Sequence, residues 1–271
     1  MSHRDRLGIT INIVLLAMIL VFLIPLPEWR FVFPLLGVDV ELYFSALSQL
    51  GVLVAALACV GTDAVMRAHP RVQGRSLAYT LTFCPLPASL VALSLSLLSG
   101  LRWWSSRFVL IALTGLMLAF IVVLERHSVG TVGAARDLSS LVLNAATYVM
   151  ALLAFSVLCG ARTQAVLAAA GAFLVGTSLA LRPLRQEHDL GRVWLYAALT
   201  GFAMGEVMWA LTYYPLSASV GGALLLLVFY TITTASQREL SDGLQRRDVI
   251  EMVAVFCIGS AFLVGHAQGL W

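Results

Sequence analysis

Apolar residues run along this chain in blocks of about twenty, and polar residues gather in the short gaps between the blocks. The uncharged blocks are Leu7–Pro27, Leu42–Thr62, Ser76–Leu101, Phe108–Leu124, Leu138–Ala161, Thr163–Leu181 and Met252–Trp271. Two more share the region Val193–Gln237, divided at Tyr213-Tyr214-Pro215 with Ser217, Ser219, Gly221 and Gly222 following. A helix rising 1.5 Å per residue needs about twenty residues to cross ~30 Å of hydrocarbon. The pattern therefore predicts nine transmembrane helices, or eight if one block does not cross. Backbone groups in lipid must be bonded within their own segment or within a closed barrel. No block shows the short alternation of barrel strands, so the expected fold class is all-α. With connections this short, residues 1–271 read as a single integral membrane domain.

Composition agrees with this reading. Of 271 residues, 60% are hydrophobic and 11% charged, against about 25% charged in a soluble domain. Mean hydropathy is +0.93. So few charges cannot cover a water-facing exterior, and a nucleic-acid partner is not expected. The start, Met1–Gly8 and the apolar run after it, resembles the first two regions of a signal peptide. The run ends Pro25-Leu26-Pro27-Glu28-Trp29 with no small-residue cleavage site, so it is read as a retained first helix.

The chain has no lysine, and its seventeen basic residues are all arginine. Arginine-rich loops stay on the cytoplasmic side. Counted on alternate sides, one side holds Arg4, Arg6, Arg67, Arg71, Arg75, Arg126, Arg136, Arg182, Arg185, Arg192, Arg238, Arg246 and Arg247, and the other holds Arg30, Arg102, Arg107 and Arg162. This split predicts a cytoplasmic N-terminus, a C-terminus outside and a multi-pass location in the inner (plasma) membrane of a bacterium. Trp29, Trp103, Trp104, Tyr213, Tyr214 and Trp271 fall at the expected outer interface, where amphipathic rings prefer to sit. Arg107 is placed to snorkel there. Asp63 and Arg67 have the spacing of a local ion pair. The basic inner face would attract anionic lipid headgroups.

Two self-matches suggest an internal duplication over 1–130 and 131–240, with a ninth helix over 249–271. Val60-Gly61-Thr62 with Arg67 resembles Val175-Gly176-Thr177 with Arg182, which fits four crossings restoring orientation. Leu81–Ser89 resembles Leu211–Ser219, but Pro85 reads as mid-helix and Pro215 as part of an outer turn, so the second match fails on depth.

Glu206 is the exception to the charge pattern. It lies fourteen residues past Arg192, about 20 Å along a helix, beyond the midplane. Such a carboxylate costs roughly 2.5–3.5 kcal/mol on insertion scales and usually faces a bundle interior or a wet cavity. Ala197, Gly201 and Gly205 form a small-residue ridge beside it that lets another helix approach closely, so Glu206 is expected inside the bundle. Phe202, Trp209 and Tyr213 share its face by helical spacing. One reading is a proton, cation or polar-ligand site lined by these aromatics; the other is a neutral glutamic acid bonding across a helix interface. Asn144, Thr147 and Tyr148 make a smaller polar face that reads as interhelical hydrogen bonding, and Ser45, Ser48 and Gln49 read likewise. Asp39 and Glu41, in or beside an outer segment over 31–40, could frame an entrance but read rather as simply solvated.

Other chemistries lack their residues. There is no lysine for a retinal Schiff base. His3, His69, His127, His188 and His266 do not form a pair at compatible depths for haem. His266 has no serine turn to accompany it, and no Walker loop, HExxH or paired intramembrane aspartates occur. Cys59, Cys84, Cys159 and Cys257 stand singly, with no metal-ligand spacing, and read as small buried hydrophobes. No cofactor and no metal are expected, and with no nucleophile–base pair an enzyme is disfavoured. At Glu206-Val207-Met208-Trp209, Pro215-Leu216 and Phe229-Tyr230, about thirty residues of the seventh and eighth helices, the chain resembles a group of uncharacterised polytopic membrane proteins frequent in Chloroflexota. That resemblance implies a location and a fold type and no mechanism.

The sequence thus leans to transport or binding of a small molecule, ion or lipid at Glu206. The alternative is a non-catalytic subunit that packs against other membrane proteins. Exchanging Glu206 for Gln separates a functional from a structural carboxyl: if both activity and stability are unchanged, the functional reading fails.

Overall fold

A computed structural model describes residues 3–267, apart from 22–28, 36–37, 45, 71, 75, 131–133, 162–163, 186–189, 215, 242 and 244. Expectations at Pro25–Glu28, Ser45, Arg71, Arg75, Arg162, His188, Pro215 and Trp271 lie outside the described residues, as do the side chains of His3, Arg4, Trp29, Asp39, Glu41, Ser48, Arg136 and His266. The helices are α1 His3–Leu20, α2 Ala46–Arg67, α3 Leu77–Leu81, α4 Pro85–Gly100, α5 Trp104–Gly130, α6 Ala134–Gly160, α7 Ala165–Leu184, α8 Leu190–Leu211, α9 Ala218–Ser241 and α10 Arg246–Ala267. Among the described residues, all but the five-residue α3 fall one to each apolar block. Six of them (α2 and α5 to α9) are long and apolar enough to cross a bilayer. Fewer than half the residues of each are buried, and the rest present leucine, valine and phenylalanine outward, as Val52, Leu53 and Leu57 do on α2 and Leu116 and Phe120 on α5. Soluble monomers rarely expose contiguous apolar patches above a few hundred Å². The chain is a helical membrane protein.

Two features differ from the sequence reading. Between α1 and α2 an antiparallel hairpin pairs β1 Trp29–Leu35 with β2 Val38–Phe44, in the register Trp29↔Phe44 to Leu35↔Val38. Asp39 and Glu41 are therefore strand residues, opposite Pro34 and Val32. The third apolar block is also broken. Pro85 does not lie mid-helix; it is the first residue of α4, after a turn at Thr82–Cys84 that ends α3. Proline has no N–H to donate and its ring clashes with the preceding turn, so it is tolerated at a helix start and breaks an interior.

The chain divides into two compact units, residues 1–143 and 144–271, within α6. In the first unit α1 packs on α2 and α5, and α4 packs on α2 and α5. Gly61 admits Thr10, and Gly115 faces Leu15 so closely that a Cβ there would meet its Cδ1 at 2.9 Å. Thr114 of α5 donates to Ser94 Oγ of α4 at 2.9 Å, one of the interhelical hydrogen bonds that lipid favours. Arg67 pairs with Asp63 at 2.7 Å, as their spacing predicts, and also donates to Thr80 of α3 at 3.2 Å. At the other end Arg107 donates to the Leu101 carbonyl and stacks 5.4 Å from the Trp104 ring centre.

In the second unit α7 and α8 make the most extensive contact, α9 packs on both, and α10 packs on α9. Gly176 of α7 faces Gly201 of α8: a Cβ on Gly176 would meet the Gly201 Cα at 3.2 Å, and one on Gly201 would meet the Phe173 carbonyl oxygen at 2.6 Å. Gly222 of α9 sits equally tightly on Ser156 of α6, where a Cβ would meet the Ser156 backbone nitrogen at 2.8 Å. Phe229 is wholly buried and stacks edge-on with Tyr148 and Phe155. Gly201→Ala is expected to destabilise the protein by about 1–3 kcal/mol, because the added carbon meets backbone that cannot move aside. Gly8→Ala, where a Cβ meets nothing within 4 Å, is expected to be neutral or to stabilise by up to about 1 kcal/mol. Thermal unfolding in detergent compares the two.

Candidate functional site

α8 carries most of the residues singled out from the sequence, and its packing decides which way each one points. Its buried face is Val193, Ala197, Thr200, Gly201, Met204, Gly205 and Met208, a stripe at three- and four-residue spacing. Gly205 is buried against the Ala169 carbonyl oxygen and the Phe173 Cβ of α7. The small residues bring α8 onto α7, which turns the remaining face outward.

Glu206 is on that outward face. The position inside the bundle expected for it is therefore corrected. The glycine ridge does draw a neighbouring helix close, but Glu206 points away from it, about 100° round the helix from Gly205 and farther from Gly201. Phe202 is 61% exposed, Trp209 44% and Tyr213 74%, and they share the outer face with Leu195 and Leu199. Trp209 Nε1 donates to the Tyr213 hydroxyl at 3.2 Å. The four residues thus lie on one exposed face of α8.

A half-open cavity lies one turn farther along. Where the ends of α6 and α8 meet the starts of α7 and α9, a cavity of about 390 Å³ is lined by Leu158, Cys159, Ala168, Met208, Leu211, Thr212, Tyr213, Tyr214, Leu216 and Gly221. Tyr213 belongs to it; Glu206, Phe202 and Trp209 do not. The turn that closes it is held by Thr212 Oγ1 donating to the Trp209 carbonyl at 2.6 Å and by Tyr214 N donating to the Leu211 carbonyl at 3.0 Å. Its floor is sulfur. Cys159 Sγ is 3.9 Å from Met208 Sδ, and a Cβ on Gly221 would meet Cys159 Sγ at 2.9 Å. Glycine at 221 leaves the thiol its room. The volume falls in the ~300–1,000 Å³ range of small-molecule sites, with hydroxyl and apolar groups mixed on its walls.

The polar face on α6 divides. Thr147 is fully buried and Asn144 half-buried. Tyr148 crosses to α9, its hydroxyl 3.4 Å from Thr233 Oγ1 and its ring edge-on to Phe229 and Tyr230. Beside it an apolar groove of about 460 Å³ runs along Tyr148, Tyr230, Gly259 and Phe262. No group of three or more His, Cys, Asp or Glu placed to hold a metal occurs among the described residues.

A family model described as "Protein of unknown function (DUF5656)" matches residues 26–265. The chain belongs to this DUF5656 family. Neither a curated protein nor a solved structure matches it.

Several buried polar groups of this DUF5656 protein have no distinct sequence signal. Glu125 is fully buried in α5, although beside Arg126 it reads as helix-end punctuation. Arg182 is 2% exposed, one residue before Pro183 of α7, whose carbonyl accepts from Gln237 Nε2 of α9 at 2.8 Å. At the same end Arg238 joins Asp248 and Glu251 of α10. Cys59 and Cys84, twenty-five residues apart, meet. No periodicity brings such pairs together on paper.

Proposed function

We propose that this inner-membrane protein crosses the bilayer nine times, N-terminus inside and C-terminus outside, and binds an amphiphilic small molecule or lipid in the cavity at the outer end of its second unit. The crossing number is supported by the agreement of long helices with apolar blocks, and the orientation by the division of arginines. Exposed Trp103, Trp104, Tyr213 and Tyr214 sit at helix ends that this orientation puts outside, the depth such rings prefer. The inner arginines meet anionic headgroups.

The observation that carries the binding reading is the mixed lining of the cavity. Thr212, Tyr213 and Tyr214 supply hydroxyls at the mouth, while Leu158, Leu211 and Met208 supply an apolar wall. A molecule with one polar and one apolar end satisfies both at the water–lipid boundary. This moves the expected ligand site from Glu206 to its neighbours on the outer turn, and only Tyr213 of the four aromatic-face residues stays in it. Thr212 is exposed, so Thr212→Trp fills the mouth without disturbing the core. In native mass spectrometry from mild detergent, the wild type is expected to retain an amphiphile. The variant is expected to lose at least about tenfold of it, 1.4 kcal/mol in binding, while stability falls only by the turn hydrogen bond that Thr212 gives up, about 1 kcal/mol. Equal retention by the two proteins sinks the reading.

Glu206 supports a second role. A carboxyl outward on an apolar helix face costs roughly 2.5–3.5 kcal/mol near the bilayer centre, and a hydrogen-bond donor on a partner membrane helix would remove that cost. This chain has no lysine, and its arginines stand near helix ends. With such a donor on another membrane protein, this chain is an assembly subunit. Glu206→Leu is expected to reduce the native-gel size of the gently extracted complex; an unchanged size removes the role.

A further inference from the structure

In the first unit, Cys59 of α2 and Cys84 at the head of α4 lie against one another. Cys59 Sγ approaches the Cys84 carbonyl oxygen at 3.8 Å, and Cys84 Sγ approaches the Cys59 carbonyl oxygen at 3.6 Å. The contacts are reciprocal, so each sulfur lies over the other residue's backbone. Both partners are held from outside the pair. Cys84 ends the turn before Pro85, its N–H donating to the Leu81 carbonyl at 3.2 Å and its own carbonyl accepting from Ala88 N at 3.0 Å. Cys59 stands between Ala58, whose carbonyl accepts from Thr62 at 2.7 Å, and the exposed Val60. Cys84 sits at the break in the third apolar block, between the end of α3 and the first residue of α4.

The two thiols differ in access. Cys84 is 5% exposed, whereas Cys59 is only half-buried on a helix that also presents Leu57 and Val60 outward. Cys59 lies eight residues before Arg67 at the end of α2, about 12 Å along the helix, within the apolar layer. A reagent dissolved in lipid reaches Cys59 first.

We propose that Cys59 and Cys84 form a reversible redox pair that reacts with hydroperoxides, Cys59 taking the oxygen and Cys84 resolving it. Cys59 sulfur attacks the outer oxygen of the O–O bond, which breaks to release an alcohol, or water from hydrogen peroxide, and leaves a sulfenic acid. Cys84 sulfur then displaces that hydroxyl as water and the S–S bond forms, a condensation open to any sulfenic acid with a thiol beside it. One hydroperoxide and two thiols give one disulfide, one alcohol and one water. The disulfide ties α2 to the head of α4 across twenty-five positions, and a thiol reductant reverses it.

The test uses the full chain in detergent, treated with cumene hydroperoxide or with hydrogen peroxide. Free thiols are expected to fall from four per chain to two, with a Cys59–Cys84 linked peptide in the digest and recovery of all four after dithiothreitol. In Cys84→Ser, dimedone is expected to label Cys59; in Cys59→Ser, Cys84 is expected to stay a thiol. Faster reaction with cumene hydroperoxide assigns the oxidant to the lipid phase, and faster reaction with hydrogen peroxide assigns it to water; either supports the pair. Loss of the exposed Cys257 thiol with Cys59 and Cys84 still alkylatable overturns the proposal. The wild-type peptide map decides this whether or not the serine variants fold.

Discussion

The absence of water from the bilayer interior governs the rest of this structure. An amide or carbonyl there has no solvent partner, so each crossing segment must close its own hydrogen bonds as a helix. Helix is therefore imposed on the apolar blocks, and their residues are released to face lipid. The same condition explains why the described strands occur in the connection between α1 and α2, and why the third block breaks at Pro85, where an N–H is missing.

Once helix is obligatory, what distinguishes one arrangement of helices from another is how closely backbones can approach. Lipid tails are as apolar as leucine, so burial of apolar area does little to choose partners, and packing of small residues does more. Gly176 against Gly201 and Gly222 against Ser156 are the points where side-chain size sets the second unit. Their effect reaches the candidate sites. Because the Ala197–Gly201–Gly205 stripe is spent on α7, the opposite face with Phe202, Glu206 and Trp209 turns outward. The ends of α6 and α8, with the starts of α7 and α9, leave a cavity under Tyr213 and Tyr214.

Much of the architecture was legible in the residues. The long helices follow the uncharged blocks, the Asp63–Arg67 pair follows from four-residue spacing, and Trp103 and Trp104 stand exposed at a helix end. The hairpin was less legible because its alternation, Val38-Asp39-Val40-Glu41-Leu42, is confined to one strand and runs straight into an apolar block. Pro85 was visible, but a run of apolar residues on both sides hid its breaking effect. The orientation of Glu206 was misread for a specific reason. A small-residue ridge says that a neighbour comes close, and a residue adjacent in sequence to the ridge is about 100° away from it on the helix, on the far side once the neighbour has docked.

The sequence alone determined the solvent of this protein and where its apolar helices run, because these depend on composition and on the length of one segment at a time. Only the tertiary structure decided that Cys59 meets Cys84, that Cys159 meets Met208, and that Tyr213 lines a cavity while Glu206 faces outward. Those facts depend on which faces of separate helices are pressed together. That choice is made by close contacts between residues far apart in the chain, and no one-dimensional period records it.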